Sequence, residues 1–258
     1  MIVLGRRSVA ETTRRTLEIP GLRWEKSDWM LSSENASLSP TAFLVEQHPE
    51  TMMPAHFHKQ NQFQVFVEGS GRVGGHRIDG LTIHYAGSFT GYGPIVAGPE
   101  GLKYMTLRAV YERGANFLST AGRGIPKGPR RGATIGPVAI PDDEVLVALG
   151  SIGEEILISP SAEGLAAKLT RLPPDSLLPP ADAGVAQGQF LFVIAGCVTH
   201  GEQCLLPWET VFVSAGEAYP TLVAGEGGAA LLSLFVPPMH PRYRDVADFA
   251  ATHAQAGA

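Results

Sequence analysis

The feature that most constrains this chain is that it contains itself twice. Within its 258 residues, the offset of 127 residues that carries Gln62 onto Gln189 aligns two blocks without a gap. In the first, Gln62-Phe63-Gln64-Val65-Phe66-Val67-Glu68-Gly69 falls on Gln189-Phe190-Leu191-Phe192-Val193-Ile194-Ala195-Gly196. In the second, Tyr92 falls on Tyr219, Ile95-Val96-Ala97-Gly98 on Leu222-Val223-Ala224-Gly225, Gly101 on Gly228, and Met105-Thr106-Leu107 on Leu232-Ser233-Leu234. Two blocks at one offset, each spanning apolar runs and glycines together, describe a duplicated unit rather than a chance match.

Each copy reads as all-β. Residues 41–47, 63–68, 72–78, 81–85 and 104–111 are short runs rich in β-branched and aromatic side chains. Gly69-Ser70-Gly71, Gly74-Gly75, Asp79-Gly80 and Gly98-Pro99-Glu100-Gly101 punctuate them as expected turns. The second copy predicts strands at 144–149, 189–194, 210–213 and 229–236. With 30 Gly and 20 Pro, composition has the turn residues this requires, and 17% charged residues against the usual 25% or so argue against a charged helical bundle. Helix is expected only at the ends. Residues 8–15 have Ser8 and Glu11 at capping-box spacing, and 242–256 carry Val246, Phe249 and Ala250 at helical spacing. The expected domains are 1–121 and 137–258, joined by a Gly/Pro-rich linker at 122–136.

Charge excludes some partners. A formal net charge of −5 leaves no excess of Lys and Arg to neutralise phosphates, so nucleic acid is not an expected partner. The longest apolar runs are about half of what spans a bilayer, so no membrane is expected either. Two cysteines make no disulfide framework, which points to a cytoplasmic setting.

The densest chemistry lies in Pro54-Ala55-His56-Phe57-His58-Lys59-Gln60-Asn61-Gln62-Phe63-Gln64. On a strand, alternate residues share a face. His56, His58, Gln62 and Gln64 then point one way, and Phe57, Phe63 and Val65 the other. Two imidazoles on one face with oxygen donors beside them are a workable half of a metal site, because neutral imidazole suits Zn, Fe, Ni and Cu.

With its closing Gly69, this stretch resembles the first motif of the cupin superfamily: two histidines one residue apart, a glutamate four residues on, and an apolar strand ending in glycine. Gln62 stands where the family has glutamate. The second cupin motif is followed by Glu209-Thr210-Val211-Phe212-Val213-Ser214-Ala215-Gly216-Glu217-Ala218-Tyr219, with Ser214 for its proline and Tyr219 for its histidine. In the first copy that motif ends at Gly91-Tyr92-Gly93-Pro94, again with tyrosine for histidine. The resemblance covers about residues 40–112 and 165–237, and with the repeat it implies two tandem double-stranded β-helix (jelly-roll) barrels with short terminal helices, a bicupin.

The resemblance implies one divalent transition metal (Fe, Zn, Ni or Mn) in the N-terminal barrel, held by His56, His58, Gln62 and Tyr92. Tyr92 and Gln62 would be the catalytic groups, and Gln60, Gln64 and Tyr104 would orient a small carbonyl, carboxylate or aromatic substrate. The expected activity is that of a metal-dependent cupin enzyme, with dioxygenase chemistry as one option and isomerase or lyase chemistry as another. The alternative is a metal-free barrel that binds a small organic ligand. In the second copy, Ala183 and Val185 stand at the histidine positions and leave it without metal. A homodimer that covers the exposed barrel edges is also expected.

Overall fold

The computed structural model describes residues 1–31, 38–181 and 184–243, and among them most elements are strands of two large antiparallel sheets, beside a third sheet of two short strands. Across the first sheet the order is Gly132–Ile135, Thr82–Ala86, Gln62–Val73, Ile95–Arg108, Thr41–Gln47, Leu22–Met30, Arg15–Ile19. The second runs Ile2–Gly5, Thr210–Ser214, Gly188–His200, Val223–Val236, Ala166–Leu172, Gly153–Ile158. The repeat is visible in the pairing itself. Phe63 faces Tyr85 and Leu107 across its two neighbours, and 127 residues on, Phe190 faces Phe212 and Leu234.

Strand alternation divides the side chains between two destinations. Phe63, Val65, Ile83, Tyr85, Met105 and Leu107 leave one face of the first sheet. They pack with Phe190, Phe192, Phe212, Leu232 and Leu234 of the second in one continuous core. The opposite faces line two separate interiors: Val45, Phe66, Ile95 and Tyr104 in one barrel, and Leu191, Val193, Val211 and Leu231 in the other. The barrels are thus stacked back to back on a shared apolar layer.

Several expected turns are strand. Gly69-Ser70-Gly71 and Gly98-Pro99-Glu100-Gly101 lie inside the long strands Gln62–Val73 and Ile95–Arg108, where the pairing register shifts. The glycines serve a close crossing instead of a turn: Gly69 has φ +85°, and a Cβ there would lie 2.2 Å from the Gly101 carbonyl oxygen. Gly196 repeats this with φ +64° and 2.1 Å to the Gly228 oxygen. The run 72–78 is split by the Gly74-Gly75 turn into the end of one strand and His76–Asp79, and 104–111 stops as a strand at Arg108.

Of residues 144–149, expected as a strand, 144–147 belong to the helix Asp143–Val147, which buries only Leu146. Asp143 and Glu144 in its first turn suit the positive end of the helix dipole, and short apolar runs do not by themselves distinguish strand from helix. The expected N-terminal helix is Arg7–Thr13, without a capping box: Arg6 is its N-cap and no side chain of the helix caps it. The buried Glu209 supplies the acceptor, Oε1 taking the Arg7 amide N–H at 2.8 Å. Ile2–Gly5 pairs with Thr210–Ser214 in the second sheet, while Gly132–Ile135 edges the first. Of the expected C-terminal helix 242–256, residues beyond 243 lie outside the described ones. No helix among the described residues is long and apolar enough to cross a membrane.

Candidate functional site

The interior face of the first barrel is built from cross-strand rows. Thr134, His84, Gln64, Thr106, Phe43 and Asp28 are successive partners over six neighbouring strands. A second row carries Phe66, Tyr104, Val45 and Lys26. Because each strand alternates, Arg108 falls on the same face as Tyr104 and Thr106. These rows border a cavity of about 640 Å³ whose lining includes Trp24, Phe43, Met53, His56, His58, Gln64, Tyr92, Tyr104 and Arg108.

The two histidines do not share one continuous strand with Gln62. His56–Phe57 is a two-residue strand paired with Asn116–Phe117, residues 58–61 form a loop, and Gln62 begins the next strand. The loop nevertheless returns the chain, and the His56 and His58 ring centroids lie 5.2 Å apart. Phe57 departs into a small cluster with Phe89, Ala121 and Tyr243.

His56, Gln62 and Tyr92 meet in one hydrogen-bond chain, and its two ends fix every direction in it. Arg108 can only donate, and its Nε and Nη2 reach Gln62 Oε1 at 3.0 and 2.8 Å. Gln62 therefore turns its amide N–H to the Tyr92 hydroxyl at 2.6 Å. At the far end the Pro54 carbonyl can only accept, so His56 Nδ1, 2.7 Å away, is the protonated nitrogen. His56 Nε2 then accepts from the Tyr92 hydroxyl at 2.7 Å. Burial, then His58, lowers the His56 pKa to about 3, and burial raises that of Tyr92. Both groups are neutral at pH 7.

His58 lies beside Glu112, Nδ1 3.6 Å from Oε2. Glu112 accepts the backbone N–H groups of Lys59 and Gln60 at 2.9 and 3.1 Å. Burial pushes its carboxyl up, but His58, Arg108 and the Lys59 amide outweigh it and hold the pKa down to about 2. Arg108, only 3% exposed, also reaches the Glu112 carbonyl oxygen at 3.4 Å. Those bonds occupy three of its five N–H groups. His58 Nδ1, Gln64 Oε1 and His84 Nε2 are buried without a hydrogen-bond partner. In the lining, Arg15, Lys26, Arg108 and Arg113 face only Asp28 and Glu112 as carboxylates. The cavity is cationic, in a chain that is anionic as a whole.

The site therefore departs from the expected one. Gln60 contributes its backbone amide to Glu112 and is absent from the cavity lining, and Gln62 stands behind the lining, between Arg108 and Tyr92. Gln64, Tyr104, Tyr92, His56 and His58 do line it. Arg108, Glu112 and Lys26 line the cavity as well, outside the motif that marks the histidines. The signal for Arg108 is its two-residue spacing from Tyr104 and Thr106, which puts a charge on an interior face.

A divalent metal does not fit this donor set. The His56 lone pair takes the Tyr92 proton, and the Gln62 oxygen is held by a guanidinium. Among the described residues no group of three or more His, Cys, Asp or Glu could hold a metal ion.

The sequence matches no family model and no curated protein. Solved structures do match. The oxalate decarboxylase of Lactobacillus farciminis, solved with formate, superposes with a TM-score of 0.58 at 11% identity, covering 92% of this chain and 87% of that one. A Bacillus subtilis oxalate decarboxylase gives 0.54 at 13%, covering 89% and 76%. The chain has the bicupin fold. A bacterial pirin from Escherichia coli, solved with nickel(II), gives 0.53 at 14% identity over 93% of this chain and all of that one. At these identities the likeness concerns the bicupin fold alone.

Proposed function

We propose that the N-terminal barrel binds a small organic carboxylate with an apolar or aromatic body. The observation that carries this is Arg108, a guanidinium buried to 3% exposure on the cavity wall and only partly engaged by protein acceptors. A buried charge is costly unless it is paired. A ligand carboxylate would complete its pairing in the bidentate geometry guanidinium favours. Trp24, Phe43 and Tyr104 would flank the apolar body, and the orphaned Gln64 oxygen would meet one of its remaining polar groups.

Calorimetry with phenylacetate and with its neutral amide tests this reading. The acid is expected to bind and the amide to bind at least tenfold more weakly. Arg108→Met should weaken the acid by about 2 kcal/mol or more, roughly 30-fold. Equal binding of acid and amide overturns the reading.

A metal-dependent enzyme is the second reading. The meeting of His56, His58, Gln62 and Tyr92 favours it, as does the nickel in the pirin of similar fold. It requires Tyr92 to lose its proton and Gln62 to release Arg108. Elemental analysis of protein reconstituted with Fe, Zn, Ni or Mn is expected to find less than one ion per chain; a stoichiometric ion lost in His56→Ala would favour the metal enzyme instead. A cytoplasmic homodimer belongs to the same proposal. Its support is the outer edge strand Gly153–Ile158, with Ile156 65% exposed.

A further inference from the structure

The same cavity holds a lysine that the binding role leaves unexplained. Lys26 stands in the interior-facing row beside Val45. Its Nζ lies 4.0 Å from the centre of the Phe43 ring, and Arg108 Cζ lies 5.4 Å from that same centre. Both cations line the same cavity. Asp28 Oδ1 is 3.1 Å from Nζ. Its other oxygen is anchored by Arg15 at 2.7 Å. An amine on an aromatic face, with a carboxylate at hydrogen-bond distance and an anion-binding guanidinium nearby, is the grouping an imine-forming lysine needs.

The geometry points to Lys26 as a nucleophile that forms an imine with a 2-oxo carboxylate whose carboxyl group is held by Arg108. This rests on the carboxylate reading above and names the substrate class. The Lys26 ammonium gives one proton to Asp28. The freed amine lone pair attacks the carbonyl carbon, a C–N bond forms, and the C=O π electrons move to oxygen, which takes the proton from Asp28. Asp28 then removes a second proton from nitrogen and passes it to the hydroxyl. The C–O bond breaks, water leaves, and C=N forms as the protonated imine. Asp28 is regenerated as a carboxylate and no oxidant or reductant is consumed. Burial lowers the pKa of Lys26 more than Asp28 raises it, which eases the first step.

Borohydride trapping tests the proposal. The protein is incubated with pyruvate or phenylpyruvate, reduced with sodium borohydride, and mapped by peptide mass over its five lysines. One adduct per chain is expected, on the peptide that carries Lys26, saturating with 2-oxo acid and suppressed by phenylacetate. Lys26→Arg, which keeps the charge and cannot form the imine, should lower the yield at least tenfold. Adducts spread evenly over the lysines, or undiminished in Lys26→Arg, overturn it. If phenylacetate binds but no Lys26 adduct forms, the nucleophile fails and the carboxylate reading stands. If neither occurs, both fall.

Discussion

Acid should destabilise this protein well before its carboxylates titrate, because it buries neutral histidines. His56 and His84 are 4% and 6% exposed. Burial lowers their pKa values to about 3 and about 4. In the unfolded chain both return to about 6.5. Between those values the unfolded state binds protons that the folded state refuses, so stability falls as pH falls. Going from about pH 7.5 to about pH 5 costs about 2 kcal/mol per such imidazole, or about 4 kcal/mol for the two. His58, lowered by burial and then by Arg108, acts in the same direction. Glu112 joins only later: its folded carboxyl is depressed to about 2, so the stability it contributes is present above about 4.5 and lost below. Urea unfolding in the presence of a chelator, at those two pH values, measures the difference. A domain typically has about 5–15 kcal/mol to lose, so the midpoint should move far. His84→Gln should remove roughly half of the shift from the two imidazoles. Equal midpoints at the two pH values, or an unchanged shift in His84→Gln, would refute the argument that these imidazoles are held neutral.

The glycine crossings make a second test. Gly69→Ala and Gly196→Ala put a Cβ against backbone oxygen at 2.2 and 2.1 Å on residues with positive φ, and each should cost at least about 2 kcal/mol. Gly21→Ala, at φ +80° with nothing within 4 Å, should cost only the conformational part, about 1 kcal/mol. Urea midpoints of the three variants decide this, and a Gly21 variant as unstable as the other two would remove the crossing argument. Arg108→Met leaves Gln62 Oε1 buried without its two charged donors, an opposing loss of about 1–3 kcal/mol set against relief of a buried charge. Its net effect on the melting temperature should therefore be small beside its effect on carboxylate binding.

The duplication was legible because it resides in neighbouring residues: alternation in Gln62–Val73 and Gly188–His200 assigns inward and outward faces without any long-range information. The crossing glycines were misread as turns because positive φ serves a turn and a bulge alike, and only the partner strand distinguishes them. Ile2–Gly5 has no local signal for the second sheet, since its partners lie at Thr210–Ser214. The histidine pair was legible as a motif; Lys26 and Arg108 were not, because they meet through Phe43, across strands that no single stretch of sequence contains.

The second barrel shows which parts of the first one the fold itself requires. At the offset of 127 residues the paired strands keep their register, so interior positions can be compared one by one. Where the first barrel has Gln64, His84, Tyr104 and Arg108, the second has Leu191, Val211, Leu231 and Phe235, all buried. Its own pocket, about 390 Å³, contains Phe235 and is walled by residues such as Ile156, Ile158 and Val185. The same backbone thus closes with apolar side chains at these four positions, while it keeps the buried polar Gln189 and Ser233 where the first barrel has Gln62 and Thr106. Burying a guanidinium and a partnerless histidine nitrogen where the second copy buries phenylalanine and valine is the less stable choice, so packing alone does not explain it. The polar set is one that a ligand can complete. Arg108 then belongs to the function of the cavity, while Phe63 and Phe190, which alternate onto the shared core in both copies, belong to the fold.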